Sequence, residues 1–81
     1  MGKVMTVIKI FPLEGTDLDA LLSRVKEVKG CNTARIEEYV FGAKIIQASF
    51  VCEDSEGIDY ESVTKELEGV SEVQIDEVGL L

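Results

Sequence analysis

Few side chains in this 81-residue sequence have the types and spacing that covalent or metal chemistry needs. The sequence has no histidine, and its two cysteines lack the C-x-x-C spacing of a metal or redox site. Carboxylate pairs occur at Glu37-Glu38 and Asp76-Glu77, but acid–base catalysis also needs a pocket that positions a substrate. We interpret both pairs as charges on strand edges and expect no catalytic site, no metal site and no cofactor.

The cysteines, Cys31 and Cys52, are too few for a disulfide scaffold. A register that sets buried positions 34 and 36 opposite 48 and 46 places Cys31 one residue out of phase with Cys52. We therefore expect Cys52 to pack in the core. Whether the two cysteines ever pair stays open.

Residues 39–47 place a bulky aromatic beside a glycine between two strand-like runs. This pattern predicts a hairpin in which Gly42 supplies the positive φ of a short loop. Phe41 at the tip has no obvious place in a core, so we expect it to contact a partner. Two alternatives remain open on the residues alone: Phe41 folds back over the edge of its own core, and Lys44 protects an edge strand from unwanted pairing.

The net charge of the chain excludes some classes of binding partner. Its formal net charge of −8 argues against binding nucleic acid or anionic membranes, because phosphate contacts need clustered Lys and Arg. The acidic surface fits a basic partner or serves solubility alone. No apolar run has the length of a membrane helix and no signal peptide is recognisable, so we expect a cytoplasmic protein.

Hydrophobic periodicity predicts the element order βαββαβ. The predicted strands cover residues 3–11, 33–40, 43–53 and 70–78, and the last strand buries Val73 and Ile75. A first helix, capped by Thr16 or Asp17, ends near Gly30. A short second helix follows an acidic loop at 54–59, and its predicted inner positions are Ile58, Tyr60, Val63 and Leu67.

This order is typical of an α+β, ferredoxin-like sandwich. We expect two helices on one face of a four-stranded antiparallel sheet in the order 4-1-3-2, forming a single domain over residues 1–81. The hairpin then lies at one end of the sheet, and both termini lie about 25 Å away at the other.

Proteins with this fold have many different functions, so the function must be inferred from the residues of the site. The loop after the first strand lacks the C-x-x-C of a metal chaperone and the arginine of an acylphosphatase-like enzyme. The outer sheet face lacks the aromatic residues of an RNA-recognition sheet. It carries Met5, Val7, Ile45 and Val51, which indicate either a protein contact or only a well-covered strand centre.

Three short motifs, spread over the whole chain, resemble one family. They are Arg35-Ile36-Glu37-Glu38 before the hairpin, Phe41-Gly42-Ala43-Lys44 at the tip, and Leu67-Glu68-Gly69-Val70-Ser71 before the last strand. The opening strand that ends at Pro12 fits the same pattern. Together they resemble the beta subunit of translation elongation factor 1 in its short archaeal form.

The resemblance implies a guanine-nucleotide exchange factor that promotes GDP release from elongation factor 1-alpha in translation elongation, without covalent chemistry. The tip would dock onto the second domain of this GTPase through Phe41, Gly42 and the neighbouring Val40 and Lys44. The C-terminal segment, with Leu80 and Leu81, would reach the nucleotide domain and disturb the magnesium and phosphate site.

The chain departs from the family pattern at two places. The hairpin lacks the proline and extra residues that usually precede the tip. The C-terminus lacks the basic residue that usually precedes a final leucine, and Lys3, at the same end, is a candidate substitute. The competing interpretation is a non-enzymatic regulatory or small-ligand-binding domain that dimerises through its sheet face; for an exchange factor, we expect a monomer.

Overall fold

The computed structural model describes residues 2–80 and has the predicted order of elements. Its strands are β1 (Lys3–Pro12), β2 (Cys31–Glu38), β3 (Lys44–Glu53) and β4 (Val70–Leu80). Its helices are α1 (Leu18–Lys26) and α2 (Tyr60–Lys65), and single 3-10 turns occur at Val40–Gly42 and Asp54–Glu56. None of the helices described in this range is long and apolar enough to cross a membrane.

The four strands form one antiparallel sheet in the order β2-β3-β1-β4, which confirms the predicted ferredoxin-like topology. The two long central strands, β1 and β3, pair from Lys3 opposite Glu53 to Ile10 opposite Ile46. Because consecutive strands are antiparallel, the turn between β2 and β3 and the end of β1 share one end of the sheet.

The core lies between the sheet and the two helices. The alternation predicted for β1 and β3 is confirmed in the middle of the strands, where Ile8 and Ile10 of β1 and Ile46, Ala48 and Phe50 of β3 are buried in the core. The buried cluster consists of Ile8, Ile10, Leu21, Val25, Ile46, Ala48, Phe50 and Tyr60.

Local signals set the start of α1 as predicted, and the structure decides between the two candidate caps. The helix ends at Lys26, before the predicted end near Gly30. The Asp17 carboxylate accepts hydrogen bonds from the backbone N–H groups of Asp19 (3.0 Å) and Ala20 (3.5 Å). These bonds satisfy N–H groups that have no partner inside the helix. Beyond the helix, Gly30 has a φ of 91°, a conformation that favours glycine.

Two predicted core positions are wrong. Val63 and Ile75 are both exposed, Ile75 to 42%. On the inner face of α2, Tyr60 is buried as predicted, and Thr64 is buried in place of Val63. The Thr64 hydroxyl donates to the Tyr60 carbonyl at 2.7 Å. Because α2 spans only six residues and β4 is an edge strand, little of the molecule covers this part of the sheet.

A shift in the pairing register of β2 with β3 changes the sheet face on which Cys31 lies. Thr33 lies opposite Ser49, but Cys31 lies opposite Phe50, so Asn32 is an extra residue in β2. The predicted phase difference between the cysteines is therefore wrong, since the bulge brings Cys31 to the same sheet face as Cys52. Both thiols are free and pack against the core, and burial raises the pKa of Cys31.

Candidate functional site

The hairpin between β2 and β3 closes with a tight turn. The Ala43 N–H donates to the Val40 carbonyl at 3.2 Å, and the Tyr39 N–H donates to the Ala43 carbonyl at 2.6 Å. Gly42 has a φ of 75°, which confirms its predicted conformation. Phe41 also has a positive φ of 58°, with a ψ of 31°. Positive φ at both central residues is characteristic of a type I′ turn, whose twist matches the flanking strands.

Sequence reasoning missed the backbone conformation of Phe41. Bulky residues rarely adopt the left-handed region, where asparagine, aspartate and glycine dominate. Phe41 is the one non-glycine residue with positive φ among residues 2–80. Such conformations cluster at functional sites, where the surroundings hold them in place.

The Phe41 ring is fully exposed, at 104% of its reference area. The alternative in which it folds back over its own core is therefore wrong. The neighbouring Val40 is exposed as well. The turn consequently presents two adjacent apolar side chains to solvent, as a surface that binds a protein partner does.

The base of the hairpin is held by aromatic contacts. The Tyr39 ring meets the Phe11 ring edge-on, with centroids 5.3 Å apart and planes at 82°. The Lys9 ammonium lies 5.8 Å from the centroid of the Tyr39 ring, within the range of a cation–π contact. These contacts join the hairpin to β1, so the tip projects from a supported base.

Lys44 is the first residue of β3, where it lies opposite Glu38 and is exposed. Because β3 is a central strand, the alternative role of Lys44 in protecting an edge strand is wrong. Its position at the base of the turn places its cation beside the exposed tip.

An apolar hollow lies next to the hairpin, and the sequence pattern did not predict it. Its volume is about 480 Å³. One wall is the turn between β1 and α1, and the other is the hairpin itself. Ile45, which we expected on the open outer face of the sheet, is buried and lines this hollow.

The outer sheet face is less apolar than its predicted residues indicated. A shallow hollow of about 230 Å³ is lined by Met5 and Val7 but also by polar side chains of β2 and β3. The Thr33 and Ser49 hydroxyls lie 2.7 Å apart, and Arg35 donates to Gln47 at 3.2 Å. Polar side chains therefore interrupt the apolar surface of this face at the hollow.

The remaining predicted site residues lie at the opposite end of the sheet. Lys3 is exposed opposite Glu53, and Leu80 lies opposite Val4 with 76% of its area exposed. Leu81 lies outside the described residues. The structure thus separates the predicted site into two groups at the two ends of a molecule whose longest axis measures 41 Å.

Two carboxylates in the described part of the chain form ion pairs. Asp76 forms an ion pair with Lys9 at 3.7 Å, and the Glu37 carboxylate contacts Arg35. Within residues 2–80, no three His, Cys, Asp or Glu side chains are grouped so that they would hold a metal ion.

Comparison with known proteins identifies the family. No curated protein compared with the chain matches it significantly. The family model described as the EF-1 guanine nucleotide exchange domain matches residues 5–81, which is nearly the whole chain. This match confirms the resemblance to the exchange domain of elongation factor 1 drawn from the hairpin and strand motifs, while its archaeal form stays a prediction, and the ferredoxin-like topology agrees with the match. The chain belongs to the family of EF-1 guanine nucleotide exchange domains, which act in translation elongation.

Proposed function

We propose that this protein accelerates GDP release from elongation factor 1-alpha by binding the GTPase with both ends of its sheet. The observation that carries the proposal is the fully exposed Phe41 ring, held on a left-handed turn above a supported hairpin base. An exposed aromatic on a rigid base loses little conformational entropy on binding, as efficient interface anchors do.

At the hairpin end, Phe41 docks onto the second domain of the GTPase. Gly42 permits the turn that directs the ring, and Val40 and Lys44 contact the same surface. Lys44 supports an encounter with acidic groups of the partner, although the chain as a whole is acidic.

At the other end, Leu80 and Leu81 contact the nucleotide domain. Lys3 supplies the cation that the C-terminus lacks, because it is exposed at the same end of the sheet as Leu80. A cation close to the magnesium and phosphate site lowers the affinity of the GTPase for GDP.

The mechanism is differential binding. The factor binds the nucleotide-free GTPase more tightly than the GDP-bound form, so by reciprocity its binding lowers the affinity for GDP. Such a mechanism needs no covalent step and no cofactor. We further propose that residues 1–81 act as one exchange domain, as a monomer in the cytoplasm.

The test is release of a fluorescent GDP analogue from elongation factor 1-alpha. Wild-type protein is expected to accelerate release, and Phe41→Ala to reduce the acceleration roughly tenfold or more, because anchor aromatics contribute about 2 kcal/mol or more. Circular dichroism of Phe41→Ala should match wild type, since the ring has no intramolecular contact to lose. Equal acceleration by both proteins would exclude the docking role.

The nucleotide end is tested by Lys3→Ala in the same assay. We expect a smaller defect than that of Phe41→Ala, because an exposed cation contributes less than a desolvated aromatic ring. Lys26→Ala, which removes an exposed cation from α1, is the matched control and should leave release unchanged. A Lys3→Ala rate equal to wild type would leave this end without a cation that acts on the magnesium site.

A further inference from the structure

The hollow beside the hairpin is shaped to receive a side chain. Pro12 and Leu13 form part of one wall, Tyr39 and Ala43 form part of the other, and the buried Ile45 lies between them. Its volume of about 480 Å³ falls within the range of hollows that bind ligands, about 300–1,000 Å³.

The hollow is continuous with the exposed tip. Leu13 is 51% exposed and Tyr39 is 38% exposed, so both walls present apolar surface to solvent. Tyr39 is followed directly by Val40 and Phe41, which are exposed as well. A single apolar surface therefore runs from the turn after β1, across the hollow, to the tip of the hairpin.

The chain cannot fill this hollow with its own tip in the described conformation. Phe41 is fully exposed, and the left-handed turn directs it away from the core. A second copy is also disfavoured, because two chains that each carry a formal net charge of −8 repel one another. Both arguments favour an occupant from a different protein.

We propose that the hollow receives an apolar side chain of the GTPase, while Phe41 enters a pocket on the same GTPase. This inference rests on the proposed function, and it adds the turn between β1 and α1 to the contact surface. Each protein then buries one projecting side chain in a recess of the other. Apolar burial in such recesses supplies binding free energy, and Glu14 and Lys44, which also line the hollow, add one charge of each sign.

Two substitutions alter opposite walls of the hollow. Ala43→Phe fills it from the hairpin side, and the extended backbone at Ala43 (φ −67°, ψ 153°) accepts any side chain. Leu13→Asp places a charge on the wall that lies outside the hairpin, so it leaves the turn around Phe41 untouched. Ser23→Phe, on the exposed surface of α1, controls for the addition of an aromatic ring.

All three variants are compared with wild type and Phe41→Ala for acceleration of GDP release from elongation factor 1-alpha, with folding checked by circular dichroism. We expect Ala43→Phe and Leu13→Asp each to lower the acceleration about fivefold or more, and Ser23→Phe to match wild type. The dependence of the rate on factor concentration should show weaker binding in both hollow variants.

The outcomes separate the two proposals. If Phe41→Ala is impaired while Leu13→Asp and Ala43→Phe behave as wild type, the hollow is not a contact and the exchange function stands. A defect in Ala43→Phe without one in Leu13→Asp assigns the effect to the hairpin turn and overturns the inference. If wild type does not accelerate release from a competent GTPase, the proposed function itself fails. A wild-type dimer that Ala43→Phe dissociates, seen by light scattering, would identify a second copy as the occupant.

Discussion

The Tyr39 ring packs edge-on against the Phe11 ring, with 5.3 Å between centroids. This contact joins the last residue before the hairpin turn to the end of β1, two segments that are far apart in the sequence. It therefore couples the direction of the tip to the end of a central strand of the sheet. The contact matters for function because a docking side chain binds well only when its support holds it in place.

Loss of the Tyr39 ring should loosen the hairpin. We expect Tyr39→Leu to lower the free energy of unfolding by about 1 kcal/mol, the usual contribution of an aromatic pair. Urea denaturation measures this change, and the GDP-release assay should show a several-fold defect although Phe41 is intact. Tyr39→Phe keeps the ring contact and should match wild type in both measurements. A normal exchange rate for Tyr39→Leu would show that the orientation of Phe41 does not depend on the contact between Tyr39 and Phe11.

We expect Phe41 to lower the free energy of unfolding and at the same time to be required for nucleotide exchange. Asparagine tolerates the left-handed conformation, and Asn-Gly is a favoured pair in type I′ turns. We expect Phe41→Asn to raise the free energy of unfolding by about 1 kcal/mol while it reduces exchange as strongly as Phe41→Ala. Val40→Asn, at a position with negative φ, should give no such gain in stability. A destabilised Phe41→Asn would show that the turn stores no strain.

Gly30 should be intolerant of any side chain. A Cβ atom at Gly30 would lie 2.2 Å from the Tyr60 hydroxyl oxygen and 2.8 Å from the Val51 carbonyl oxygen. We expect Gly30→Ala to lower the free energy of unfolding by roughly 3 kcal/mol, from backbone strain and overpacking combined. Gly15 has a similar φ of 83°, but the space around it is open. Gly15→Ala should therefore lower the free energy of unfolding by only about 1 kcal/mol. Equal losses in the two variants, measured by urea denaturation, would contradict the steric argument.

Tyr60 should make stability depend on pH in the alkaline range. Burial raises the pKa of its hydroxyl, and the nearby Cys52 and Glu56 raise that pKa further. A raised pKa means that the folded state holds the proton more tightly than the unfolded state, in which the pKa is about 10. The contribution to stability is therefore complete below about pH 10 and is lost as the pH rises through the folded-state pKa.

The comparison of wild type with Tyr60→Phe isolates this effect from the titration of lysines. The hydroxyl has no hydrogen-bond partner among the described residues, so its removal should change stability little at neutral pH. Because the ring stays stacked on Phe50, the variant should keep its core. Above about pH 10, wild type should lose stability more steeply than Tyr60→Phe. If the free energy of unfolding falls equally for wild type and Tyr60→Phe as the pH rises, the pKa of Tyr60 is the same in the folded and the unfolded state.

The sequence by itself determined the fold and the location of the tip. Alternation in β1 and β3, a helix cap at Thr16 or Asp17 and the glycine at position 42 are local signals, and each acts through neighbouring residues alone. These signals suffice because the period of burial follows directly from backbone geometry. The family motifs, which run through the same segments, added the function.

Only the tertiary structure decided the features that depend on how distant segments meet. The exposure of Val63 and Ile75 follows from the short α2 lying over an edge strand, which periodicity does not encode. The bulge at Asn32 brings Cys31 into phase with Cys52, because strand register is a property of a pair of strands. The hollow beside Tyr39 arises where the turn after β1 approaches the hairpin. Long-range packing alone creates such a recess, so no local pattern of residues predicts it.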